Sequence, residues 1–454
     1  MAGPKVTIVG GGLSGLATAW FLHQAQPQLD VVVRESSARL GGKIFSPDLA
    51  GQPFDVGADS FLFRQPEFAQ LCTSLGLGDD LVAPETGQVW LWIDGQLRAL
   101  PGGTVMGLPG NLDLVEASGV LSGDGLARAR AEVGMGTPTL GPDDDPNVAS
   151  FVQERFGTEV LERLVDPLLS GIYAGDTRRL GLRSAAPAIA AVADAAVQKQ
   201  CSLTEVMELR AQLAQTDSRP VFKTVRGGLH RVISAMAVSL QVRLESPVQT
   251  LSQVGGAWQV DGEQTDAVVL ATPAFVSAQI ASSAAPALAS LLERIQFAGA
   301  AVISFAFPAG TELPQGSGML VPRDQDRLLK AVTWSSRKWP HLAERDEVLL
   351  RCSTGRVSDA RHELLSDEEL QGKALAEIRE AMGVQGMPVA ANVARWPRAL
   401  AQYDTGHRGR VAEIMDAADE RGLVLTGASY DGVGLPSCVR QARVAAEKVL
   451  AQFA

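Results

Sequence analysis

The strongest constraint in this chain is a glycine triplet set between a strand and a helix. Residues 5–9, KVTIV, read as a short buried strand, and Gly10-Gly11-Gly12-Leu13-Ser14-Gly15 follows at once. Leu13 to Gln24 then reads as a helix and Asp30 to Arg34 (DVVVR) as the next strand. Strand, glycine turn, helix and strand within about 30 residues make a βαβ unit. Gly10 permits the tight turn, Gly12 lets the backbone approach a pyrophosphate, and Gly15 lets the helix pack closely on the strand. Leu13 and Ser14 open a helix whose N-terminus favours an anion. Glu35 stands 20 residues beyond Gly15, at the end of the second strand, where an acid meets ribose hydroxyls. A glycine triplet alone is an ordinary turn; in this setting it points to a bound dinucleotide.

The next segment separates FAD from NAD. Glu35-Ser-Ser-Ala-Arg39-Leu-Gly41-Gly42-Lys43 puts an arginine and a glycine pair directly after the ribose acid. Arg39 offers charge-assisted hydrogen bonds to phosphate, and Gly41 and Gly42 allow a second close backbone approach. This passage resembles the second phosphate-side motif of the FAD-containing amine oxidase superfamily. Near the C-terminus, Thr426-Gly427-Ala-Ser-Tyr-Asp-Gly-Val433-Gly434-Leu435-Pro436 resembles the late FAD motif of the same superfamily. The helix expected over Val439 to Ala451 would aim its N-terminus at the flavin, where negative charge develops on reduction. The resemblance further implies that Lys43, Gly57, Ala58 and Val248 border the cofactor.

Composition narrows the class. With 454 residues and 46% hydrophobic content, the chain can bury more than one core. A net charge of −11 argues against nucleic-acid binding, which needs a basic face. The four cysteines (Cys72, Cys201, Cys352, Cys438) form no CxxC pair, and the five histidines are scattered, so no metal site is expected. Reduced thiols, no signal peptide and no membrane span are the expectation. The chain is therefore placed in the cytoplasm, with peripheral contact on the inner face of the membrane left open.

The expected fold is α/β: a discontinuous FAD-binding Rossmann-like domain (1–100, 215–275 and 400–454), a helical insertion (101–214) and a mixed-sheet substrate domain (276–399). The helical reading of the insertion includes one helix from Val148 to Leu169, on the 3–4 spacing of its apolar residues. Strands are expected at Gln241–Leu244, Trp258–Val260, Ala267–Ala271, Ala300–Phe307, Met319–Val321, Leu329–Trp334, Val348–Cys352 and Leu423–Thr426, and a helix at Leu364–Met382. Ala267 to Leu288, the longest uncharged stretch, is broken by prolines and reads as strand, turn and helix.

Further motifs carry a narrower resemblance. Ser150-Phe-Val-Gln-Glu-Arg-Phe-Gly157, Asp166-Pro-Leu-Leu-Ser-Gly-Ile-Tyr-Ala-Gly-Asp176, Gly318-Met-Leu-Val-Pro-Arg323, Trp334-Ser-Ser-Arg-Lys-Trp-Pro340 and Arg395-Trp-Pro with Gln402-Tyr403 and Gly406-His407 resemble the protoporphyrinogen/coproporphyrinogen oxidases of haem biosynthesis. SGIYAGD is the most specific piece, because it lies outside the general FAD apparatus. The likeness runs nearly end to end. It implies FAD, a porphyrinogen substrate, dioxygen as acceptor, hydrogen peroxide as by-product, and hand-off of product to a ferrochelatase. Whether the chain is monomer or homodimer stays open, as does coproporphyrinogen III against protoporphyrinogen IX, with a lean to the former.

The resemblance also assigns residues. Phe54-Asp55-Val-Gly57-Ala58-Asp59-Ser60 is similar to the segment that passes the flavin, and Asp59 is the catalytic candidate; a turn cap is the competing reading. Gly171, Ile172 and Gly175 would line the macrocycle pocket, with Leu320 and Thr333 against the rings. Some relatives carry a phenylalanine near Ser353, and this chain does not. Arg64 and Arg98 are candidates for the substrate propionates, against a reading as solvated surface charges. The rivals are a flavin amine oxidase, disfavoured by only three tyrosines for an aromatic cage, a non-catalytic FAD-binding protein, and a carotenoid desaturase. Cys438, in LPSCV, reads as a packed thiol and not as a covalent flavin attachment.

Overall fold

The computed structural model describes residues 3–214 and 219–453. The expected boundary between 214 and 215 falls against residues 215–218, outside the described residues.

Two sheets organise the chain. The first has five strands in the order Gln241–Arg243, Asp30–Arg34, Lys5–Val9, Ala267–Leu270 and Leu423–Leu425, all parallel. Parallel strands buried on both faces read as unbroken apolar runs, and Val6, Ile8, Val33, Val268, Val269 and Leu270 are all fully buried. Helix Leu13–Ala25 packs between this sheet and the last helix, Leu435–Ala451, so it is apolar almost all round.

The second sheet has seven strands, in the order Ala390–Ala401, Phe297–Phe307, Val348–Thr354, Leu329–Trp334, Gly318–Leu320, Val89–Ile93 and Gln96–Ala99. It is antiparallel except where Gly318–Leu320 runs parallel to Val89–Ile93. One face is sealed by helix Asp367–Met382, which starts on a capping box between Ser366 and Glu369. The other face looks toward the helical region and the first sheet.

The strands expected from the sequence all form, Lys5–Val9, Asp30–Arg34 and Leu329–Trp334 with the expected ends and the others with an end shifted by one to three residues. Two elements of the second sheet are not among those expectations. Hairpin Val89–Ala99, within the first segment assigned to FAD binding, is hydrogen-bonded into the second sheet. Strand Ala390–Ala401 runs across the expected boundary at 400. Its sequence disguises it: it is an edge strand, where proline is tolerated. Pro397 and Arg398 (φ 51°) fall where the pairing slips between Ala298 and Ala300.

The helical region holds a further difference. The single helix expected from Val148 to Leu169 breaks at Gly157, whose φ of 92° cannot continue a helix. The chain restarts at Thr158, widens into a π turn at Leu161–Val165, and ends in helix Asp166–Tyr173. The region is tied internally by a buried Arg155–Glu132 pair. Glu132 also accepts from Leu203 N (3.0 Å), Thr204 N (3.0 Å) and Thr204 Oγ1 (2.7 Å), so the buried charge is fully engaged. Among the described residues no helix is long and apolar enough to cross a membrane.

Candidate active site

The two glycine clusters, 30 residues apart in sequence, meet. Gly12 and Gly41 form a parallel bridge, and Gly41 N donates to Gly11 O at 2.9 Å. The glycines differ in what fixes them. A Cβ on Gly15 would sit 2.0 Å from Gly10 O, so that glycine serves helix–strand packing. A Cβ on Gly12 would meet only Gly42 Cα, at 4.0 Å. Protein packing leaves room for a side chain there, which is the cradle a dinucleotide backbone would fill. Glu35 is anchored at this crevice: Oε2 accepts from Gly11 N (2.7 Å) and Oε1 from Ser37 N (2.8 Å). Oε1 also accepts from Ser37 Oγ (2.7 Å), which leaves a lone pair on Oε2 for a hydroxyl. Ser246 N donates to Glu35 O at 2.8 Å, which brings the stretch leading to Val248 alongside.

Arg39 is placed differently from a simple phosphate clamp. Its guanidinium lies over the Phe45 ring at 4.1 Å and donates to Gly42 O at 2.9 Å, bracing the glycine pair from behind. Lys43 sits deeper, and burial pulls its ammonium below its ordinary value. Ala58 N donates to Lys43 O at 3.1 Å, so the glycine trough and the FDVGADS segment lie side by side. At the other end, Gly427 (φ 131°) turns off strand Leu423–Leu425, and Val433, Gly434 and Leu435 lead into the last helix. Cys438 is buried in the first turns of that helix; burial raises its thiol, which interacts with Ser14.

The second sheet supplies the opposite wall. In its central strands buried and partly open positions alternate: Ala331 and Thr333, Arg351 and Ser353 are partly open, while Val332, Trp334 and Cys352 are buried. Thr333 pairs with Gly318 and Arg351, while Ala331 pairs with Leu320 and Ser353. Period-two alternation puts the open set on one face. Leu320, Ala331, Thr333, Arg351 and Ser353 therefore share one partly open face, the candidate floor of a substrate cavity. Segment 54–59 crosses this face. Phe54 and Val56 pack down on Val302 and Leu349, and Arg351 Nη2 donates to Gly57 O at 2.5 Å.

Asp59 stands where that segment reaches the open face. Lys338 Nζ is 4.0 Å from its Oδ2, and Ser60 Oγ donates to Oδ1 at 3.2 Å. Burial opposes ionisation, but Lys338 and Arg351 outweigh it and hold the carboxyl below its ordinary value. Asp55, four residues earlier in the segment, behaves oppositely. Burial pushes it up to about 6, against hydrogen bonds from Ser46 and from Leu229 N. Two carboxylates with environments that pull their pKa values apart can divide electrostatic and proton-transfer roles. Sequence reasoning singles out Asp59 but not Asp55, Lys338 or Arg351, although Asp55 and Lys338 lie inside motifs quoted above.

The SGIYAG segment forms the third wall. Ala174 ends helix Asp166–Tyr173 in the left-handed region (φ 49°). Gly171 has nothing near its missing Cβ, and Ile172 is 41% exposed. A Cβ on Gly175 would meet Gln402 Oε1 at 2.7 Å, so this glycine is fixed by packing. Gln402 Nε2 donates to Tyr173 O (2.8 Å), and Tyr403 Oη links Ala428 O and Gly432 N. Tyr403 stacks on His407, whose Nε2 donates to Tyr430 O at 2.8 Å. The wall is thus locked to the C-terminal glycine motif.

The two arginines expected to meet propionates are not brought together with Asp59 by any direct contact. Arg64 Nη2 lies 3.5 Å from Arg219 O. Arg98 packs against Gly119 at the C-terminus of helix Leu112–Ser118, with Nη2 3.4 Å from Gln96 Oε1. In the register, Arg98 pairs with Leu91 and Leu91 with Leu320, so the three share one row.

Comparison with known proteins agrees with this construction. The chain is 36% identical over 452 residues to the coproporphyrinogen III oxidase of Mycobacterium tuberculosis, covering 98% of this chain and 96% of that one. It is 31% identical over 487 residues to the protoporphyrinogen oxidase of Bos taurus, covering 99% and 98%. A crystal structure from Exiguobacterium sp. 255-15, provisionally named protoporphyrinogen oxidase, superposes with a TM-score of 0.88 at 30% identity and covers 99% of both chains. Residues 13–450 match the family described as flavin containing amine oxidoreductase. With a glycine trough that leaves room for a dinucleotide, a partly open sheet face crossed by the Asp59 segment, and a match along nearly the whole chain, this chain belongs to the flavin containing amine oxidoreductase family.

Proposed function

We propose that the chain is an oxygen-dependent FAD enzyme that oxidises a porphyrinogen to the porphyrin, with coproporphyrinogen III as the preferred substrate. The observation that carries this reading is the cavity floor of Leu320, Ala331, Thr333 and Ser353, set between the Asp59 segment and the SGIYAG wall. A floor of mostly small side chains across central strands, with the Arg351 guanidinium among them, suits a broad, flexible macrocycle. The reading also rests on the end-to-end likeness to enzymes named for porphyrinogen oxidation.

FAD held there would supply the redox chemistry, as a two-electron acceptor that dioxygen reoxidises with formation of hydrogen peroxide. Gly12, Gly41, Gly42 and Glu35 would hold its adenosine and pyrophosphate half, and Gly57, Ala58, Val433 and Gly434 its ring half. Each step removes one hydride equivalent and one proton; over three steps the macrocycle loses four meso C–H and two pyrrole N–H hydrogens. Asp59, kept ionised by Lys338 and Arg351, stabilises the positive charge that develops on the macrocycle. Arg351 positions the segment through Gly57 O. Asp55, with a pKa of about 6, is the group poised to pass the released proton onward.

An amine oxidase shares the family but is disfavoured by the tyrosines. Tyr403 and Tyr430 are each 2% exposed and Tyr173 is 5% exposed, and Tyr403 is committed to latching the C-terminal loop. Product hand-off to a ferrochelatase at a membrane-apposed surface completes the reading. The test is a side-by-side fluorescence assay of coproporphyrinogen III and protoporphyrinogen IX under air, with peroxide measured in parallel. Faster appearance of coproporphyrin with stoichiometric peroxide is expected. Turnover of neither substrate, with FAD bound, would sink the proposal.

A further inference from the structure

Arg356 lies just past strand Val348–Thr354 and is only 5% exposed. Its Nε donates to Ser170 Oγ at 3.1 Å and its Nη2 to Val321 O at 2.7 Å. Both acceptors are neutral. Among the described residues no carboxylate comes within ion-pair distance of it. The nearby acids are engaged elsewhere: Asp166 takes Thr177 Oγ1 at 2.9 Å and Arg323 Nε at 3.4 Å, and Asp359 holds Arg361 at 2.8 and 2.6 Å.

More cations crowd this point. Buried Lys330 donates to Gly355 O at 2.9 Å and also has no carboxylate partner among the described residues. Burial pulls Lys330 down to about 7, with Arg356 and Arg351 adding to the effect. Burial pulls Arg356 itself down to about 10, with Arg323 adding. A chain of net charge −11 has no shortage of acids, yet only Asp166 and Asp359 act on this guanidinium, at a distance and while each is bonded to another arginine. A buried charge left unpaired is costly, so an external anion would relieve the site.

The position fits such an anion. Arg356 bonds one residue beyond Leu320 on the cavity floor and one residue before Gly171 in the wall. Val357 N donates to Ala174 O (2.8 Å) and Arg323 Nη2 to Gly175 O (2.9 Å). A hollow of about 360 Å³ borders Arg356, lined by Arg323, Arg327, Arg361 and Ser358 and by the carboxylates Asp326 and Asp359, both of which are taken by Arg361. Of these arginines, Arg327 is paired with Glu380 and Arg361 with Asp359.

We propose that Arg356, with Arg323 beside it, receives a carboxylate arm of the substrate at the seam between cavity floor and SGIYAG wall. This rests on the porphyrinogen reading and makes Arg356 a determinant of selectivity for substrates with more carboxylates.

The test measures binding of coproporphyrin III and mesoporphyrin IX, which carry four and two carboxylates on one macrocycle, to FAD-loaded protein by fluorescence. Arg356→Gln should weaken coproporphyrin about tenfold or more and mesoporphyrin less than about threefold. Arg356→Lys should restore part of the difference. Arg294→Gln, at a surface pair with Glu413, should change neither. Equal loss for both porphyrins would make Arg356 a strut of the wall and overturn the proposal, as would no loss. If Arg356→Gln does not retain FAD, Arg323→Gln is compared on the same two porphyrins: a selective loss for coproporphyrin supports the proposal, and equal loss or no loss overturns it. Wild-type protein that oxidises neither porphyrinogen would overturn the functional reading and this inference together. Wild-type activity on coproporphyrinogen without discrimination at Arg356 would overturn this inference alone.

Discussion

Lys338 Nζ lies 4.0 Å from Asp59 Oδ2, close enough to hold the carboxylate ionised but beyond hydrogen-bond reach. The pair joins two motifs 279 residues apart, FDVGADS and WSSRKWP. Both side chains are partly open, at 18% and 22%. A loose pair at the edge of a cavity leaves the carboxylate free to meet a second partner.

Asp59→Ala should lower kcat by about 10²–10⁴-fold with FAD content unchanged, the usual range for a positioned acid–base or charged group. Asp59→Asn should lose less if hydrogen bonding is the larger part. Lys338→Met removes a cation that depresses the Asp59 pKa, so the acidic limb of the kcat/KM profile should move to higher pH. An Asp59→Ala enzyme with full FAD and near-normal kcat would leave Asp59 as a turn residue.

Asp55 gives a pH signature of opposite sign. Its folded pKa is raised from 3.8 to about 6. A carboxyl raised on folding contributes stability that is complete below its unfolded pKa and lost as pH rises through the folded one. The wild type should therefore lose on the order of 1–3 kcal/mol from this group between about pH 4 and pH 6. Asp55→Asn should flatten that limb in thermal melts taken from pH 4.5 to 8. Parallel melting curves for the two proteins across this range would remove Asp55 from the account.

The two glycine substitutions should separate folding from cofactor binding. Gly15→Ala drives a Cβ to 2.0 Å from Gly10 O and should lower the melting temperature even of the FAD-free protein. Gly12→Ala meets only Gly42 Cα at 4.0 Å, so the FAD-free melt should stay put while FAD affinity falls at least about tenfold. Equal effects of both on the FAD-free melt would mean that Gly12 is a packing residue.

Cys438 is 6% exposed with its thiol raised by burial, so covalent attachment through it is not expected. Acid precipitation should release the flavin into the supernatant. Flavin remaining in the pellet would contradict this.

The contrast between what is legible in the sequence and what is not has a physical cause. The βαβ unit is local: strand, turn and helix are contiguous, and each glycine's role follows from its place in the turn. The strands of the second sheet are visible as apolar runs because their cores are sealed on one side by helix Asp367–Met382. Strand Ala390–Ala401 is not, because an exposed edge tolerates Asn392, Arg395 and Pro397 and erases the alternation. Gly157 reads as part of a helix because apolar spacing carries no mark of a positive φ. Asp59 is visible through a motif. Arg351 and Arg356 are not, because their importance comes from register: Arg351 matters because it crosses to Gly57, and Arg356 because it crosses to Ser170 and Val321. Contacts across about 190 to 290 residues leave no trace in local spacing.

The arginines expected from the sequence to read propionates now separate. Arg98 shares a row with Leu91 and Leu320, which turns it toward the cavity side of the sheet, yet it also abuts Gly119 where helix Leu112–Ser118 ends. A cation at a helix C-terminus is favoured by the helix dipole, and its buried Nε has no hydrogen-bond partner. Arg98→Ala should therefore raise KM for coproporphyrinogen more than for protoporphyrinogen and also lower the melting temperature. Arg64 sits beside Arg219 O in an exposed contact. Arg64→Ala should alter KM in the same direction without the loss of stability. Truncating one partner of a desolvated charge contact costs roughly 2 kcal/mol or more, about thirtyfold in KM, whereas a solvated one costs little. Small, equal changes in KM for both substrates would place both arginines at the surface and leave the carboxylate contacts to Arg356 and Arg323.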